Sequence, residues 1–311
     1  MDLKLFKGKL NFPVITTGTF DGLHLGHLEL LTKVIKIARE NNGESIVLTY
    51  YHHPLETLRS KTYPYLLTEK NKKKALIKSF GIDYVFFLNF DQKTSQMSPR
   101  DFLENILIDK LGAKVIVAGY DTHFGKNREG NLSFLKNNET AYGYKTVYIP
   151  PFEVKGKIVS SSFLREIVSN GKIEDVFPYL GRFYSINGYV IKGHKIGRTL
   201  GFPTINVKPH DPNKLYPRPG VYFTLVCISG KFYYSLTNIG FSPTLKNMRS
   251  PEIESHLLNF SGILYGKETE IFFLEKIREE IKFSNRDKLI KQLQNDLAWA
   301  EKKITETGYE I

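Results

Sequence analysis

Apolar positions in the first half of the chain gather into five short runs rich in β-branched and aromatic residues: 14–17, Ser45–Tyr50, Tyr84–Leu88, Val115–Ala118 and Lys145–Ile149. Between the first four, the period changes to that of a helix. Leu28, Leu30, Leu31, Val34, Ile35 and Ala38 make one stripe, closed by Asn41-Asn42-Gly43. A second helix is predicted to start at Thr68. A third carries its own start signal, Ser98-Pro99 with Asp101 closing a capping box, ahead of Phe102, Leu103, Ile106 and Leu107. Strands alternating with helices predict an α/β domain on a doubly wound parallel sheet.

After Gly171 the pattern shifts. A helical connector, Ile173–Leu180, stops at Gly181, and β-prone runs then dominate: Tyr184–Ile191, Val221–Ile228, Phe232–Ile239, Ile253–Phe260 and Thr269–Leu274. Turns at Ser229-Gly230 and Ser261-Gly262 leave no room for crossover helices, so this sheet is predicted to be antiparallel and closed as a small β-barrel. A final helix is marked by Ser284 and Asp287 as a capping box and by the stripe Leu289, Leu293, Leu297, Ala300 and Ile304. Two domains are expected, 1–182 and 183–311, as suits a chain of 311 residues.

Composition places the chain among soluble globular proteins, at 41% hydrophobic and 24% charged. No apolar run is long enough to span a membrane, and no signal-peptide pattern opens the chain. The single cysteine, Cys227, excludes an intrachain disulfide and a zinc cluster. A cytoplasmic location is the expectation. A net charge of +12 suits nucleotides, nucleic acid or an acidic surface. The lysines are dispersed, however, and the longest run, Lys72-Lys73-Lys74, reads as a solvated helix face. No usual nucleic-acid module appears. Nucleotide substrates are therefore expected, with neither nucleic acid nor membrane as partner; oligomerisation is left open.

The candidate chemistry starts at Gly18-Thr19-Phe20-Asp21-Gly22-Leu23-His24-Leu25-Gly26-His27, where the first strand turns into the first helix. A helix N-terminus offers unpaired N–H groups and a positive dipole end to phosphate, and histidines at i, i+3 there can donate to phosphate oxygens. Ligands of such sheets bind beyond the carboxyl ends of the strands. Polar residues recur at those ends: His52-His53-Pro54 after the second run, Gly119, Asp121, Phe124 and Gly125 after the fourth, Ser160-Ser161-Ser162 with Arg165 after the fifth. The serines and Arg165 can hold the far phosphates of a nucleoside triphosphate. The turn lacks GxxxxGK[ST] and GxGxxG, which excludes a P-loop enzyme and disfavours a dinucleotide redox cofactor.

In the second half the chemical stretch is Gly193-His194-Lys195-Ile196-Gly197-Arg198-Thr199-Leu200-Gly201-Phe202-Pro203-Thr204-Ile205-Asn206. Its glycines and Arg198 read as a flexible loop suited to covering phosphates. Thr204 and Asn206 are i, i+2 and project to one face of an extended segment, where neutral oxygens suit Mg²⁺ held jointly with nucleotide phosphates. On spacing alone, an ordinary glycine-rich hairpin with polar turn residues is an equal reading.

The Gly18–His27 string resembles the HxGH-type nucleotidyltransferases, and the whole chain is similar to the bifunctional bacterial riboflavin kinase/FAD synthetase family. The matching stretches are Gly18–His27, Thr49–Pro54, Gly119–Gly125, Val159–Ser162 with Arg165, Pro203-Thr204-Ile205-Asn206, Pro219–Tyr222, Asn238–Gly240 with Pro243-Thr244, and Glu254–Leu258 with Tyr265-Gly266. The resemblance implies an ATP site for adenylyl transfer to FMN at Gly18, Phe20, Asp21, Gly26, Asp121, Ser161, Ser162 and Arg165, with His24 and His27 on the phosphates. It implies a second ATP site, for phosphorylating riboflavin, at Gly193, Gly197, Arg198, Gly201, Pro203, Thr204 and Asn206, with Mg²⁺ on Thr204 and Asn206. Glu254 is then the candidate base for the ribityl hydroxyl; Glu252, Glu254 and His256 alternate onto one strand face, opposite Ile253 and Leu257. ATP, riboflavin and FMN are the implied substrates, and FAD the end product. The chain departs from the family pattern at Tyr51, His52, Ser242, Asn259 and Ile263. Competing readings are an adenylyltransferase for another phosphorylated substrate, which the second domain disfavours, and a silent flavin- or nucleic-acid-binding protein, which the retained His24, His27, Thr204, Asn206 and Glu254 disfavour.

Overall fold

The computed structural model describes residues 1–54, 56, 66–193, 196–240 and 251–307. Its chain gathers into two compact units, Met1–Ser161 and Ser162–Ile311. No helix among the described residues is long and apolar enough to cross a membrane.

The first unit is built on the five predicted strands: β1 (Pro13–Thr17), β2 (Glu44–Tyr50), β3 (Tyr84–Leu88), β4 (Val115–Gly119) and β5 (Lys145–Ile149). All pairings are parallel, in the order β3-β2-β1-β4-β5. Both faces are buried. Ile15, Ile46, Leu48, Phe86 and Ile116 enter one cluster, while Val14, Val47, Val85 and Val117 enter the other with Leu31, Val34 and Ala38 of helix α1 (Leu25–Glu40). The strand order reverses beside β1, so the β1–α1 turn opens at the switch point of a doubly wound sheet.

The other helices follow the sequence with local differences. The second spans Lys70–Ser79, two residues later than Thr68. Ser98 caps the third as expected, its hydroxyl taking the Asp101 N–H at 3.0 Å and donating to the Asp101 carboxylate at 2.7 Å. That helix widens to π turns over Leu103–Ile108. Two short helices between β4 and β5, Leu132–Asn137 and Glu139–Tyr142, and the small hairpin of β6 (Glu153–Val154) and β7 (Lys157–Ile158) were not predicted.

Asp83 ties α1, β2 and β3 together. It accepts from Arg39 at 2.9 and 3.0 Å and from the Ser45 N–H and hydroxyl at 2.9 and 2.7 Å. Partial burial alone would raise its carboxyl, but these bonds bring it down to about 2. A folded-state value below the unfolded one contributes stability above the unfolded pKa and loses it as pH falls toward the folded pKa. At ~1.4 kcal/mol per pKa unit, Asp83→Asn should cost about 2 kcal/mol at pH 7 and converge on the wild type by about pH 2. Urea unfolding at the two pH values tests this.

The second unit is a closed six-stranded antiparallel barrel: β8 (Tyr184–Ile191), β9 (Ile205–Pro209), β10 (Gly220–Ile228), β11 (Lys231–Gly240), β12 (Glu252–Leu257) and β13 (Glu268–Arg278), in the order β10-β11-β12-β9-β8-β13. The sixth strand, β9, lies where the sequence predicts only an extended segment. It closes the barrel between β8 and β12. Ser229-Gly230, both at positive φ, turns β10 directly back onto β11. The Ser261-Gly262 stretch instead joins β12 to β13, which are not neighbours. Inside the barrel, Thr224, Ser235, Thr237 and Ser255 are fully buried and bond to one another, with Thr237 at 2.7 Å from Thr224 and 2.8 Å from Ser255. Mutual bonding is what lets hydroxyls occupy an interior.

The C-terminal helix, Arg286–Thr307, packs Leu297, Trp299, Ala300 and Ile304 against Phe223, Tyr234 and Leu236 on the outside of the barrel. Its cap is Asn285, not Ser284: the Asn285 side-chain oxygen accepts the Lys288 N–H at 2.9 Å, one residue further along than expected. Asp296, 3% exposed, anchors the helix to Arg278 of β13 through bonds of 2.7–3.0 Å.

Candidate functional site

Two constellations form, one in each unit. In the first, β1 runs into the Gly18–His24 turn, whose Gly18 N–H donates to Leu48 O at 3.1 Å. Phe20 and Leu23 adopt left-handed backbone (φ 49° and 43°), conformations rare outside glycine, and both side chains are buried beneath the turn. His24 is the N-cap of α1: its Nδ1 accepts the His27 N–H at 3.3 Å. An accepting Nδ1 leaves the proton of a neutral ring on Nε2, which is then a donor. The two imidazoles stack, with centroids 3.7 Å apart and planes at 16°, and Phe20 lies 5.1 Å from the His27 ring. Gly26 makes this possible, since a Cβ there would press on His24 Nδ1 at 3.3 Å. The pair thus sits, as expected, at the positive end of a 16-residue helix.

Asp21, expected among the nucleotide contacts, is 2% exposed, and its carboxylate accepts the N–H groups of Leu67 (3.1 Å) and Thr68 (3.0 Å). Its carbonyl accepts the Ser161 hydroxyl at 2.8 Å. Asp21 and Ser161 therefore brace the turn from two sides. Asp121 is exposed just beyond β4, at the same rim of the sheet. Ser162 and Arg165 follow Ser161 on the helix Ser161–Ser169, Ser162 exposed and Arg165 half-buried.

Lys73 corrects the sequence reading. Far from lying on a solvated face, it is 8% exposed, and its Nζ donates to Thr19 O (2.9 Å), Thr49 Oγ1 (3.2 Å) and Tyr50 O (3.4 Å). It lines a cleft with Thr19, Asp21, Tyr51, His53 and Thr68. The available signal was phase, for Lys73 precedes the buried Ile77 by four residues and shares its helix face. Burial pushes the ammonium down to about 8 against an ordinary 10.5, despite the attraction of Asp21. The pH slope has the same sign as for Asp83, in a higher window: the unfolded chain binds the extra proton between about pH 8 and 10.5, so a cost of burial present below that window is relieved and wild-type stability gains with pH across it. Relative to Lys73→Met, the wild type should gain about 3 kcal/mol there. Far-ultraviolet circular dichroism in urea is the suitable probe, because the one tryptophan, Trp299, reports the other unit.

In the second unit, strand register assembles the site. Glu254 on β12 lies opposite Asn206 on β9 and Asn238 on β11. Burial alternates along β12, with Ile253, Ser255 and Leu257 inward and Glu252, Glu254 and His256 half-buried on the outer face. Asn206, Glu254 and Asn238 therefore form one row across three strands. Asn238 matched the family pattern in sequence but had no role there. Within the glycine-rich stretch Ile196–Thr199 is a helical turn, with Gly197 O accepting from Leu200 N (3.1 Å) and Phe202 N (2.9 Å). Arg198 projects from this turn as an exposed side chain, and Gly201 follows at φ 86°. Gly193 packs so closely on Asn206 that a Cβ would come within 2.1 Å of its amide nitrogen. Thr204, half-buried between Pro203 and β9, faces Gly197. His194, Lys195, Ser242 and Pro243-Thr244 lie outside the described residues.

Among the described residues no cluster of three or more His, Cys, Asp or Glu could hold a metal alone. The donor set at Thr204 and Asn206, neutral oxygens backed by close-packed glycines, instead fits a hard cation shared with phosphate oxygens.

Comparison with known proteins matches both units. The FAD synthetase family model fits residues 8–163, and the riboflavin kinase model fits residues 180–304. A bifunctional riboflavin kinase/FMN adenylyltransferase of Buchnera aphidicola from Schizaphis graminum is 37% identical over 96% of this chain and 98% of its own. The enzyme of the same name in Escherichia coli K12 is 32% identical over 94% and 96%. A crystal structure from Streptococcus pneumoniae, titled a macrolide-efflux protein, superposes with a TM-score of 0.86 at 26% identity, covering 96% of this chain and 97% of that one.

Proposed function

The chain belongs to the bifunctional riboflavin kinase/FMN adenylyltransferase family, and from that premise we propose which of its side chains carry each reaction. Its two activities are phosphorylation of riboflavin to FMN and adenylyl transfer from ATP to FMN, giving FAD. The functional boundary falls after Arg182, where the connector has stopped at the left-handed Gly181 and β8 begins. The observation that supports the assignment is that each family match contains one polar constellation suited to its reaction: stacked histidines on a helix N-terminus in the first, the Asn206–Glu254–Asn238 row in the second.

In the kinase reaction, Glu254 accepts the proton of the ribityl 5′-hydroxyl as that oxygen attacks the γ-phosphorus; the bond to the β,γ-bridging oxygen breaks, and ADP leaves. Gly193, Gly197, Arg198 and Gly201 bring backbone and guanidinium donors over the phosphates, and Pro203 leads into the metal-binding pair. Thr204 and Asn206 would hold Mg²⁺, which supplies charge neutralisation on the phosphate oxygens when bound.

In the adenylyl transfer, an oxygen of the FMN phosphate attacks the α-phosphorus of ATP, and pyrophosphate departs. That nucleophile is already ionised, so no base is required. His24 Nε2–H, His27 and the α1 N-terminus stabilise charge on the phosphates. Gly18, Phe20, Asp21 and Gly26 shape the turn, Asp121 flanks the nucleotide from the next strand end, and Ser161, Ser162 and Arg165 hold the far phosphates. No membrane or nucleic acid takes part, and the setting is the cytoplasm.

The test is direct. Purified protein incubated with riboflavin, ATP and Mg²⁺ should give both FMN and FAD on chromatography. Absence of both would overturn the proposal, and FMN alone would leave only the kinase half.

A further inference from the structure

His256 stands on the same face of β12 as Glu254, two residues on. The β9–β12 ladder pairs Asn206 with Glu254 and Ile205 with Ser255, and there it ends. Beyond it come Thr204 and Pro203, and Pro203 has no N–H with which to extend a ladder. The His256 side chain takes over at that point. Its Nδ1 lies 2.8 Å from Pro203 O, and the Phe202 ring meets the imidazole edge-on at 5.6 Å. A carbonyl oxygen can only accept, so Nδ1 carries the proton and donates.

That bond fixes the peptide plane joining Pro203 to Thr204. The other side of Thr204 is already fixed by β9, and Gly197 closes over its hydroxyl. We propose that His256 is a positioning residue for riboflavin phosphorylation: by holding Pro203 O it sets Thr204 where it meets the metal and nucleotide. The proposal rests on the reading of Thr204 and Asn206 given above. His256 itself touches neither the substrate nor the cation.

Three substitutions on the full chain separate the donor from the ring. His256→Asn puts an amide N–H at the place of Nδ1, His256→Gln moves the donor one bond further out, and His256→Phe keeps the contact with Phe202 but has no donor. Loss of one hydrogen bond that orients a ligand should raise the KM for ATP in the kinase reaction about tenfold in the Gln and Phe variants, and the Mg²⁺ needed for half-activation with it. The Asn variant should stay near the wild type. FMN adenylylation by the same preparations should be unchanged, and a wild-type Trp299 fluorescence spectrum shows that the unit carrying both Trp299 and His256 is folded. A readout independent of activity is the ring itself: ¹⁵N-histidine spectra of the wild type, with the His256 signal identified by its loss in His256→Asn, should show a proton on Nδ1.

A ring with no proton on Nδ1, a Phe variant with wild-type kinetics, or an Asn variant as impaired as Phe would each overturn the proposal. Thr204→Ala distinguishes the two levels. If it abolishes phosphorylation while His256→Phe keeps the wild-type KM for ATP, only the His256 proposal falls; if neither substitution changes the kinase reaction, the reading of Thr204 falls with it.

Discussion

Replacing Glu254 with alanine should lower riboflavin phosphorylation by roughly 10²–10⁴-fold, the range lost with a positioned general base, while supplied FMN is still converted to FAD at the wild-type rate. The expectation follows from where β12 puts the side chain. Glu254 projects from the outer face of the barrel, between Asn206 and Asn238, and its strand neighbours Ile253 and Ser255 fill the interior. Truncating it therefore removes a carboxylate without opening a core cavity, and folding should survive. Glu254→Gln is the sharper companion, because it keeps shape and hydrogen-bonding capacity but cannot take up the hydroxyl proton. Equal losses in kcat for the two variants would identify the proton acceptor as the missing element. A Gln variant of near wild-type kcat would assign Glu254 to orientation instead, and loss of both reactions in a folded chain would sink the division into one site per unit.

The parts of this architecture that could be read in sequence are those set by one segment at a time. Parallel strands buried on both faces leave continuous apolar runs, so β1–β4 stand out within a residue or two, while the half-exposed edge strand β5 is marked by its β-prone residues Thr146–Ile149. The alternation of Glu252, Glu254 and His256, and the i, i+3 spacing of His24 and His27, were equally local. What escaped depends on pairing between distant segments. β9 is short, alternates polar with apolar residues and ends in Pro209, so only its neighbours β8 and β12 make it a strand. The Asn206–Glu254–Asn238 row exists only through the register of three strands. Lys73 looked like one lysine of three, and its burial follows from the acceptors that Thr19, Thr49 and Tyr50 present from two other strand ends. Asp21 was legible as part of a phosphate turn, but not as the group that gathers Leu67 and Thr68.

His27→Ala should give the converse phenotype: FAD formation from FMN lowered by about 10²–10³-fold, the cost of deleting one preorganised donor to a charged transition state, with riboflavin phosphorylation intact. Its imidazole is stacked at 3.7 Å on His24 and flanked by Phe20, so it cannot swing aside without breaking both contacts. Such fixing is what makes a donor preorganised rather than merely present. Truncation leaves the N-cap bond in place, because His24 Nδ1 accepts the His27 backbone N–H, which alanine keeps. The loss should therefore fall on catalysis, with little change in the stability of α1. His24→Ala differs on this point: it removes a ring and the cap together, and a lost cap costs about 1 kcal/mol. The chemistry sharpens the comparison further. A donor serving mainly the transition state lowers kcat, whereas one serving only ground-state ATP raises KM and spares kcat. A His27→Ala chain with an elevated KM for ATP and an unchanged kcat would make His27 a binding group and leave charge stabilisation to His24 Nε2–H and the helix N-terminus.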